Sequence, residues 1–318
     1  MVKGIGKPAV QKVQSEEINM ELPPFRPPSE AFSYLIRVVR GCNWNRCAFC
    51  SMYKGLCFEQ RKKEEILKDI DQIPIFFPRS KSAFLGDSNP LIHRDILEIL
   101  KYLKSKRPEL ERITAYARIK TIANTPKEKL EAFREAGLTR LHMGLESGDD
   151  EILEMVRKGI KAEDAIKAGR KAREYFEITY YVITGLGGSE RSEKHAKNTA
   201  KVINEAKPTF VRIRNLTITN PEMGRLVRPL SAEEQLEELK ILLSEIRSET
   251  YFTCDHVSNY IFANGRPIFT GVHGKIPEEK DEMLEMIEST LETLIALKKS
   301  GARILTSNDM FRLGLITL

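Results

Sequence analysis

Three cysteines fall within nine positions, in the run Arg40-Gly41-Cys42-Asn43-Trp44-Asn45-Arg46-Cys47-Ala48-Phe49-Cys50. Their spacing is C-x4-C-x2-C. Three thiolates on one flexible loop can hold three corners of a cubane iron–sulfur cluster, leaving the fourth iron without a protein ligand. An open iron suits a reactive cluster, whereas a simple electron carrier has a fourth cysteine. A structural zinc site also needs four ligands and closed coordination. Cys57 and His93 are nearby candidates for that fourth place, so spacing alone leaves zinc open. A core strand of unrelated cysteines fits poorly with Gly41, Asn43 and Asn45 in the same run. The remaining thiols, Cys57 and Cys254, bring the total to five. An odd number, with no apolar N-terminal core of signal-peptide length, argues against a disulfide framework. Cys57 and Cys254 are too few and too far apart to ligate a second cluster.

The loop needs a scaffold, and the rest of the chain reads as one. The 318 residues are 41% hydrophobic and 30% charged, a soluble globular composition with room for one large domain or two ordinary ones. No run approaches the about 18 apolar residues of a membrane span, and a cytoplasmic location is expected. The net charge of +6 is the small difference between 51 basic and 45 acidic residues. It implies a mixed surface, with a basic patch for an anionic substrate or RNA as the second reading.

Residues 1–31 form a Pro-rich lead-in. A strand at 34–39 then runs straight into the cysteine loop, and strands at 82–85, 112–117, 140–145, 177–183 and 209–214 follow. Helices are expected after them, near 61–72, 95–105, 126–136, 150–156 with 162–175, and 190–205. Six strand–helix units in one register predict a parallel sheet covered by helices, either a partial barrel or an open doubly wound sheet. The loop then leaves the C-terminal end of the first strand, the face where sites collect in such folds. Beyond residue 230 the rhythm changes. Ser231-Ala-Glu-Glu234 is a capping-box pattern that starts a helix to about 248. A strand at 251–256 and a long helix at 278–300 follow. The expected division is 1–31 lead-in, 32–230 core and 231–318 a C-terminal extension covering the core.

On these residues the sequence resembles the radical S-adenosylmethionine (radical SAM) superfamily over about 32–220, in the branch of Elongator-type, coproporphyrinogen-oxidase-type and methylthiotransferase-type enzymes. The resemblance implies a partial (β/α)6 TIM-like barrel with a C-terminal helical and strand extension. It implies a [4Fe–4S] cluster on Cys42, Cys47 and Cys50, with its open iron chelated by S-adenosylmethionine (SAM). Reductive cleavage then gives a 5′-deoxyadenosyl radical that abstracts hydrogen from a substrate. The usual family spacing is C-x3-C-x2-C, so one extra residue lies between Cys42 and Cys47 here. Phe49 matches the aromatic that the family places near the adenine.

The segment Leu85-Gly86-Asp87-Ser88 resembles the family's Gly-Gly-Glu-type segment, with Leu in place of the first Gly. Asp87 or Ser88 beside Gly86 can accept from the SAM ammonium, and an ordinary strand-to-helix turn is the other reading of these residues. Met143-Gly-Leu-Glu146-Ser-Gly-Asp-Asp resembles the fourth-strand motif, and Arg157-Lys158-Gly159 the basic residue that follows it. Glu146 and Lys158 are thereby implied near SAM, although Glu146 also reads as a helix N-terminal acid. Arg118, just past the third strand, reads as a partner of the SAM carboxylate or as a solvated surface arginine. Tyr181-Val-Ile-Thr184-Gly185-Leu-Gly-Gly188 resembles the fifth-strand motif, which implicates Thr184 and Gly185. The catalytic side chains acting on the substrate are not legible.

Cys254-Asp255-His256-Val-Ser-Asn259-Tyr260 reads as a substrate-facing lip or as ordinary packing at a strand end, and His142 as a satisfied core residue. The expected function is a radical SAM enzyme acting on a small molecule, nucleoside or short peptide, ahead of an RNA-modifying enzyme. A flavodoxin- or ferredoxin-like reductant is an expected partner, and no membrane is. The competing class is a non-catalytic zinc- or iron–sulfur-binding structural or regulatory protein.

Overall fold

The computed structural model describes residues 25–72 and 79–316. Residues 1–24 of the expected lead-in lie outside them. Two compact units emerge from the packing. The first comprises residues up to Asn43, Gly55–Tyr116 and Glu131–Thr139, and the second comprises Trp44–Lys54, Ala117–Leu130 and Arg140 onward.

In the first unit, β1 (Tyr34–Arg37) leads into the short β2 (Val39–Arg40), which pairs antiparallel with β3 (Glu59–Gln60). Helix α1 (Lys63–Gln72), β4 (Ser82–Gly86), α2 (Ile96–Lys106) and β5 (Arg112–Ala117) follow. β1 pairs parallel with β4, and β4 with β5, with Ile36 opposite Leu85 and Phe84 opposite Thr114. All four β1 residues are buried, as are Ala83 to Gly86 of β4. Continuous apolar burial of this kind marks strands covered on both faces.

After Trp44–Lys54, the second unit takes in α3 (Ile119–Asn124) and the start of α4 (Lys127–Glu135), whose last residues belong to the first unit. Then come β6 (Leu138–Glu146), α5 (Asp150–Met155), α6 (Ala162–Ala172), β7 (Glu177–Thr184), α7 (Gly188–Ala206) and β8 (Phe210–Asn215). β6, β7 and β8 are parallel neighbours. Their side chains alternate. Leu141, Met143, Ile178, Tyr180, Val182, Val211 and Ile213 are buried on one face. There the Tyr180 hydroxyl donates to the Ala165 carbonyl of α6 at 2.5 Å, and burial raises its pKa. The opposite face carries polar side chains. Asp149 caps α5 by accepting from the amides of Glu151 and Ile152, which starts the helix directly after the fourth parallel strand.

The chain continues through α8 (Pro221–Leu226) and α9 (Ala232–Glu245), the latter started by the expected Ser231–Glu234 capping box. β9 (Thr250–Thr253) pairs parallel with β8 and carries the sheet on. A three-stranded antiparallel sheet joins β10 (Ile261–Ala263) to β11 (Arg266–Phe269) and, beyond the edge strand β12 (His273–Ile276) and helix α10 (Lys280–Lys299), to β13 (Ile304–Thr306), before α11 (Ser307–Arg312). β12 pairs antiparallel with β9. The C-terminal segment therefore contributes strands to the main sheet. The expected strand at 251–256 ends instead at Thr253, because His256 caps a 3-10 turn at Val257–Asn259. The six parallel strands β1, β4, β5, β6, β7 and β8 bear out the α/β reading.

Gly169 of α6 lets the helix pack closely on α7 and on Tyr180 of β7. A Cβ there would lie 2.6 Å from the Ala206 Cβ of α7 and 2.8 Å from the Tyr180 hydroxyl. Gly169→Ala should therefore lower unfolding free energy in urea by about 1–3 kcal/mol, the usual range for overpacking.

Candidate functional site

The base of the cysteine loop belongs to the first unit. Pairing of Val39 with Gln60 and of Arg40 with Glu59 closes the loop like a hairpin, and the Arg40–Glu59 ion pair spans it at 2.9 Å. Gly41 adopts φ +75°, and a Cβ there would meet the Cys57 carbonyl oxygen at 3.0 Å. That conformation and close approach explain glycine just before the first ligand.

Gly86, Asp87 and Ser88 are wrapped around this base. The fully buried Asp87 carboxylate accepts from Arg37 Nε and Nη2 at 3.1 and 2.9 Å and from the Gly41 amide at 3.1 Å. Ser88 Oγ donates to the Gly41 carbonyl at 2.8 Å, and Asn89 Nδ2 reaches Asn43 Oδ1 at 3.4 Å. The turn after β4 thus holds the Gly41 backbone before the half-buried Cys42 and the Asn43 side chain after it. A buried carboxylate is tolerable here because a guanidinium and an amide accompany it.

Cys47 and Cys50 belong to the second unit, and both are half-buried. Between them the Ala48 amide donates to the Val156 carbonyl at 2.9 Å, while Asn220 Nδ2 donates to the Ala48 carbonyl at 2.9 Å. Asn220 also caps α8. Phe49 packs against the cluster of Ile152, Val156, Leu186, Leu216 and Met223. The turn after α5 and the start of α8 therefore grip this stretch from two sides.

Trp44 adds a third anchor. Its Nε1 donates to the Arg157 carbonyl at 2.7 Å. Its ring lies on Gly159, where a Cβ would come within 2.3 Å of the indole. Arg46 and Arg118 place their guanidinium carbons 5.1 and 4.9 Å from the ring centroid. Arg118 thus stands against Trp44 and half-buried at the N-cap of α3.

Lys158 stands beside Phe49 and Glu146 in the second unit. Its Nζ is 2.7 Å from Glu146 Oε1 and 5.7 Å from the centre of the Phe49 ring. Burial pulls the ammonium pKa down, but Glu146 and the Cys47 and Cys50 thiolates outweigh it and hold the group above its ordinary value. Glu146 reaches this position through a register shift at the end of β6 and a left-handed backbone, φ +64°. A non-glycine residue there is strained, and such strain gathers at functional sites. Gly144 makes the space, since a Cβ on it would stand 2.0 Å from Glu146 Oε1 and 2.8 Å from Lys158 Nζ.

Thr184 and Gly185 are held from behind. The buried Thr184 hydroxyl donates to Asn215 Oδ1 at 3.2 Å. Gly185, at φ +74°, donates its amide to Glu238 Oε1 at 2.8 Å. Glu238 is itself buried on α9, bonded to His195 Nδ1 at 2.8 Å and to the Ser192 hydroxyl.

The donor chemistry weighs against a closed zinc cage. Both ring nitrogens of His93 are engaged, Nε2 with the Arg61 carbonyl at 2.7 Å and Nδ1 accepting from the Asp95 amide at 3.1 Å. Cys57 is exposed. The loop instead offers three half-buried thiols, two of them beside a cation, which fits a cluster completed by a non-protein ligand. Cys254 is buried, and burial raises its thiol pKa, so it is inert. His142 is buried with Nδ1 3.1 Å from the Tyr181 hydroxyl.

A mostly parallel α/β chain with a three-thiolate loop after its first strand defines a class of cluster-dependent enzymes. The sequence matches the radical SAM superfamily over residues 36–203, more than half of the chain, and the chain belongs to that family. It is 32% identical over 143 residues to a GTP 3′,8-cyclase of Listeria welshimeri, which covers 44% of this chain and 40% of that one. It is 26% identical over 194 residues to an uncharacterized methyltransferase of Pyrococcus horikoshii, covering 60% of this chain and 40% of that one. The chain thus spans about two-fifths of the length of these curated relatives. The solved coproporphyrinogen III oxidase of Escherichia coli has the same fold, with a TM-score of 0.51 at 18% identity, covering 67% of this chain and 51% of that one. The fold is therefore the partial TIM-like barrel of radical SAM enzymes, and the family's cofactors are a [4Fe–4S] cluster and SAM. No helix among the described residues is long and apolar enough to cross a membrane.

Sequence reasoning missed Trp44, Asn220 and Glu238. The signal for Trp44 was present, since it is the chain's one tryptophan and lies in the C-x4-C interval. The other two act through contacts remote in sequence. Trp44→Ala should speed hydrogen exchange at the Ala48 amide about ten-fold or more, from the lost indole hydrogen bond and cation–π contacts. Amides of α10 should exchange as before.

Proposed function

We propose that this radical SAM enzyme binds its cluster through Cys42, Cys47 and Cys50 and the methionine end of SAM beside Glu146 and Lys158. The observation that carries the reading is the Glu146–Lys158 pair held next to Cys47 and Cys50. SAM has an ammonium and a carboxylate on one carbon. An acid and a base already oriented in a partly dry pocket complement it at little reorganisation cost. Lys158 takes the carboxylate, with Arg118 on the same side through Trp44. Glu146 takes the ammonium, assisted by the Gly86–Ser88 turn. Phe49 and the Thr184–Gly185 turn receive the adenosine.

When bound, the cluster and SAM supply reductive cleavage to a 5′-deoxyadenosyl radical. The chain's residues orient the ligand and exclude water. A small molecule, nucleoside or short peptide then gives up hydrogen, with RNA behind them. A flavodoxin- or ferredoxin-like protein supplies the electron. The activities for which the relatives are named, methyl transfer and nucleotide cyclisation, are two outcomes that such a start can serve.

After anaerobic reconstitution, the protein should carry about four irons per chain and, with dithionite and SAM, release 5′-deoxyadenosine. Cys42→Ala, Cys47→Ala and Cys50→Ala should each abolish the product, while Cys57→Ala retains it. Cluster content that survives the loss of Cys50 would show that the ligands are wrongly assigned. Gly144→Ala gives a sharper test. The atoms it meets are the ends of two flexible side chains, so the fold should persist within about 1 kcal/mol. Displacing the Glu146–Lys158 pair should weaken SAM binding about ten-fold or more, measured by equilibrium dialysis.

A further inference from the structure

The polar face of the second unit's sheet contains a charge arrangement that the cofactor reading does not use. Register places Gly144, Tyr181, Arg212 and Thr253 in one row across β6, β7, β8 and β9. Arg214 lies two residues further along β8, opposite Ile183, so the two arginines point to the same side of the pleat. Both are half-buried, while Val211, Ile213 and Asn215 between and beside them are buried on the other side.

Neither guanidinium has a hydrogen bond or ion pair among the described residues. Other buried or half-buried arginines behave differently. Arg37 is paired with Asp87, Arg61 with Asp69, Arg112 with Glu30, Arg140 with Glu177 and Arg191 with Asp149. Two like charges with no counterion, partly withdrawn from water, repel each other and lose hydration. A fold keeps such a pair at a cost in stability, and an anion removes that cost.

The surroundings strengthen the point. The strand face near the N-terminal ends is closed by Arg140 over the Phe210 ring at 4.4 Å and by Phe210 against Tyr251. Its acid there, Glu177, is already taken by Arg140. At the other end, the Glu146 carboxylate is taken by Lys158. Across β12, Lys275 is opposite Tyr251, adding an ammonium to the row that also holds Phe210. His256 stands close enough to be affected. Burial and Arg214, with Arg212 adding to it against the pull of Asp255, bring its pKa down to about 4. The neutral ring accepts the Ser258 amide at Nδ1, 3.1 Å away, which leaves Nε2 as the N–H donor.

We infer that Arg212 and Arg214 are the specificity-determining clamp of the substrate site, and that the substrate carries a carboxylate or phosphate group which they bind. The substrate assignment rests on the radical SAM reading above. The anion site itself rests on the two half-buried arginines, which no carboxylate among the described residues, the nearby Asp255 included, engages in an ion pair. A guanidinium pair on a rigid strand presents several fixed N–H donors to one oxyanion, and the clamped group would lie on the same sheet as the Glu146–Lys158 pair.

The test uses the reconstituted wild-type protein, with phenylglyoxal as an arginine reagent and peptide mass spectrometry as the readout. Pyrophosphate and succinate serve as phosphate and carboxylate probes. At least one of them should slow labelling of Arg212 and Arg214 together, while the exposed Arg94 labels at an unchanged rate. Whichever probe protects better identifies the favoured anion. In titration calorimetry, Arg212→Gln and Arg214→Gln should each weaken that probe about ten-fold or more, with the lysine variants losing less. Equal labelling with and without both probes would overturn the inference. So would protection by SAM alone, which would assign the pair to the cofactor. Release of 5′-deoxyadenosine is measured on the same preparation. Protection without that product keeps the anion clamp and removes the radical chemistry, while product without protection does the reverse.

Discussion

Three thiols on a short loop have to be held apart from one another and yet aimed at one metal cluster. A loop with little regular structure cannot do this alone, because its backbone groups need partners and its conformational entropy opposes order. The chain meets the constraint by bonding the loop to neighbouring elements from end to end. Its base is a two-residue antiparallel ladder, and the turn after β4 encloses Gly41 through Asp87 and Ser88. Its distal half is bonded to the turn after α5 and to the cap of α8. Asp87 and Ser88, two of the residues proposed to meet the cofactor, are among those that keep the loop in place. In particular, Asp87 spends one carboxylate oxygen on Arg37 and the Gly41 amide.

Local strain is placed where charge is needed. Glu146 in the left-handed region costs about 1–2 kcal/mol, and it brings a carboxylate over Gly144 to meet Lys158. The same turn that carries Lys158 also carries Gly159, whose lack of a Cβ admits the Trp44 ring. One five-residue stretch, 155–159, thereby links the apolar packing beneath Phe49, the indole anchor and the ammonium. The C-x4-C interval carries an indole that is hydrogen-bonded at one edge and has two guanidinium groups near its ring.

Much of the fold was legible in the chain. β1 and β4, continuously buried, read as short apolar runs, and β8 as a stretch of alternating apolar and polar residues. Ser231-Ala-Glu-Glu234 announced α9 through local hydrogen bonding alone. What escaped depends on partners distant in sequence. β2 and β3 are two residues each and exist because they face one another. Asn220 acts on Ala48, 172 residues away, and Glu238 acts on Gly185, 53 away. The segment around His256 reads as a strand from composition, but the imidazole accepts its own turn's amide and stops the strand at Thr253. For the site, the spacing of the thiols and the types at Phe49, Glu146 and Lys158 were readable. Their mutual placement was not, because it follows from a register shift and a left-handed turn that no periodicity records.

The central claim is that the three-cysteine loop leaves one iron for SAM to bind through its amino and carboxylate groups. The most direct measurement is pulsed electron–nuclear double resonance on the reduced, reconstituted protein with SAM labelled by 15N at the amino group and 17O at the carboxylate. The account predicts hyperfine coupling from both labels to the cluster spin. A reduced cluster with no coupling to either label, or a colourless protein saturated with zinc, would contradict it.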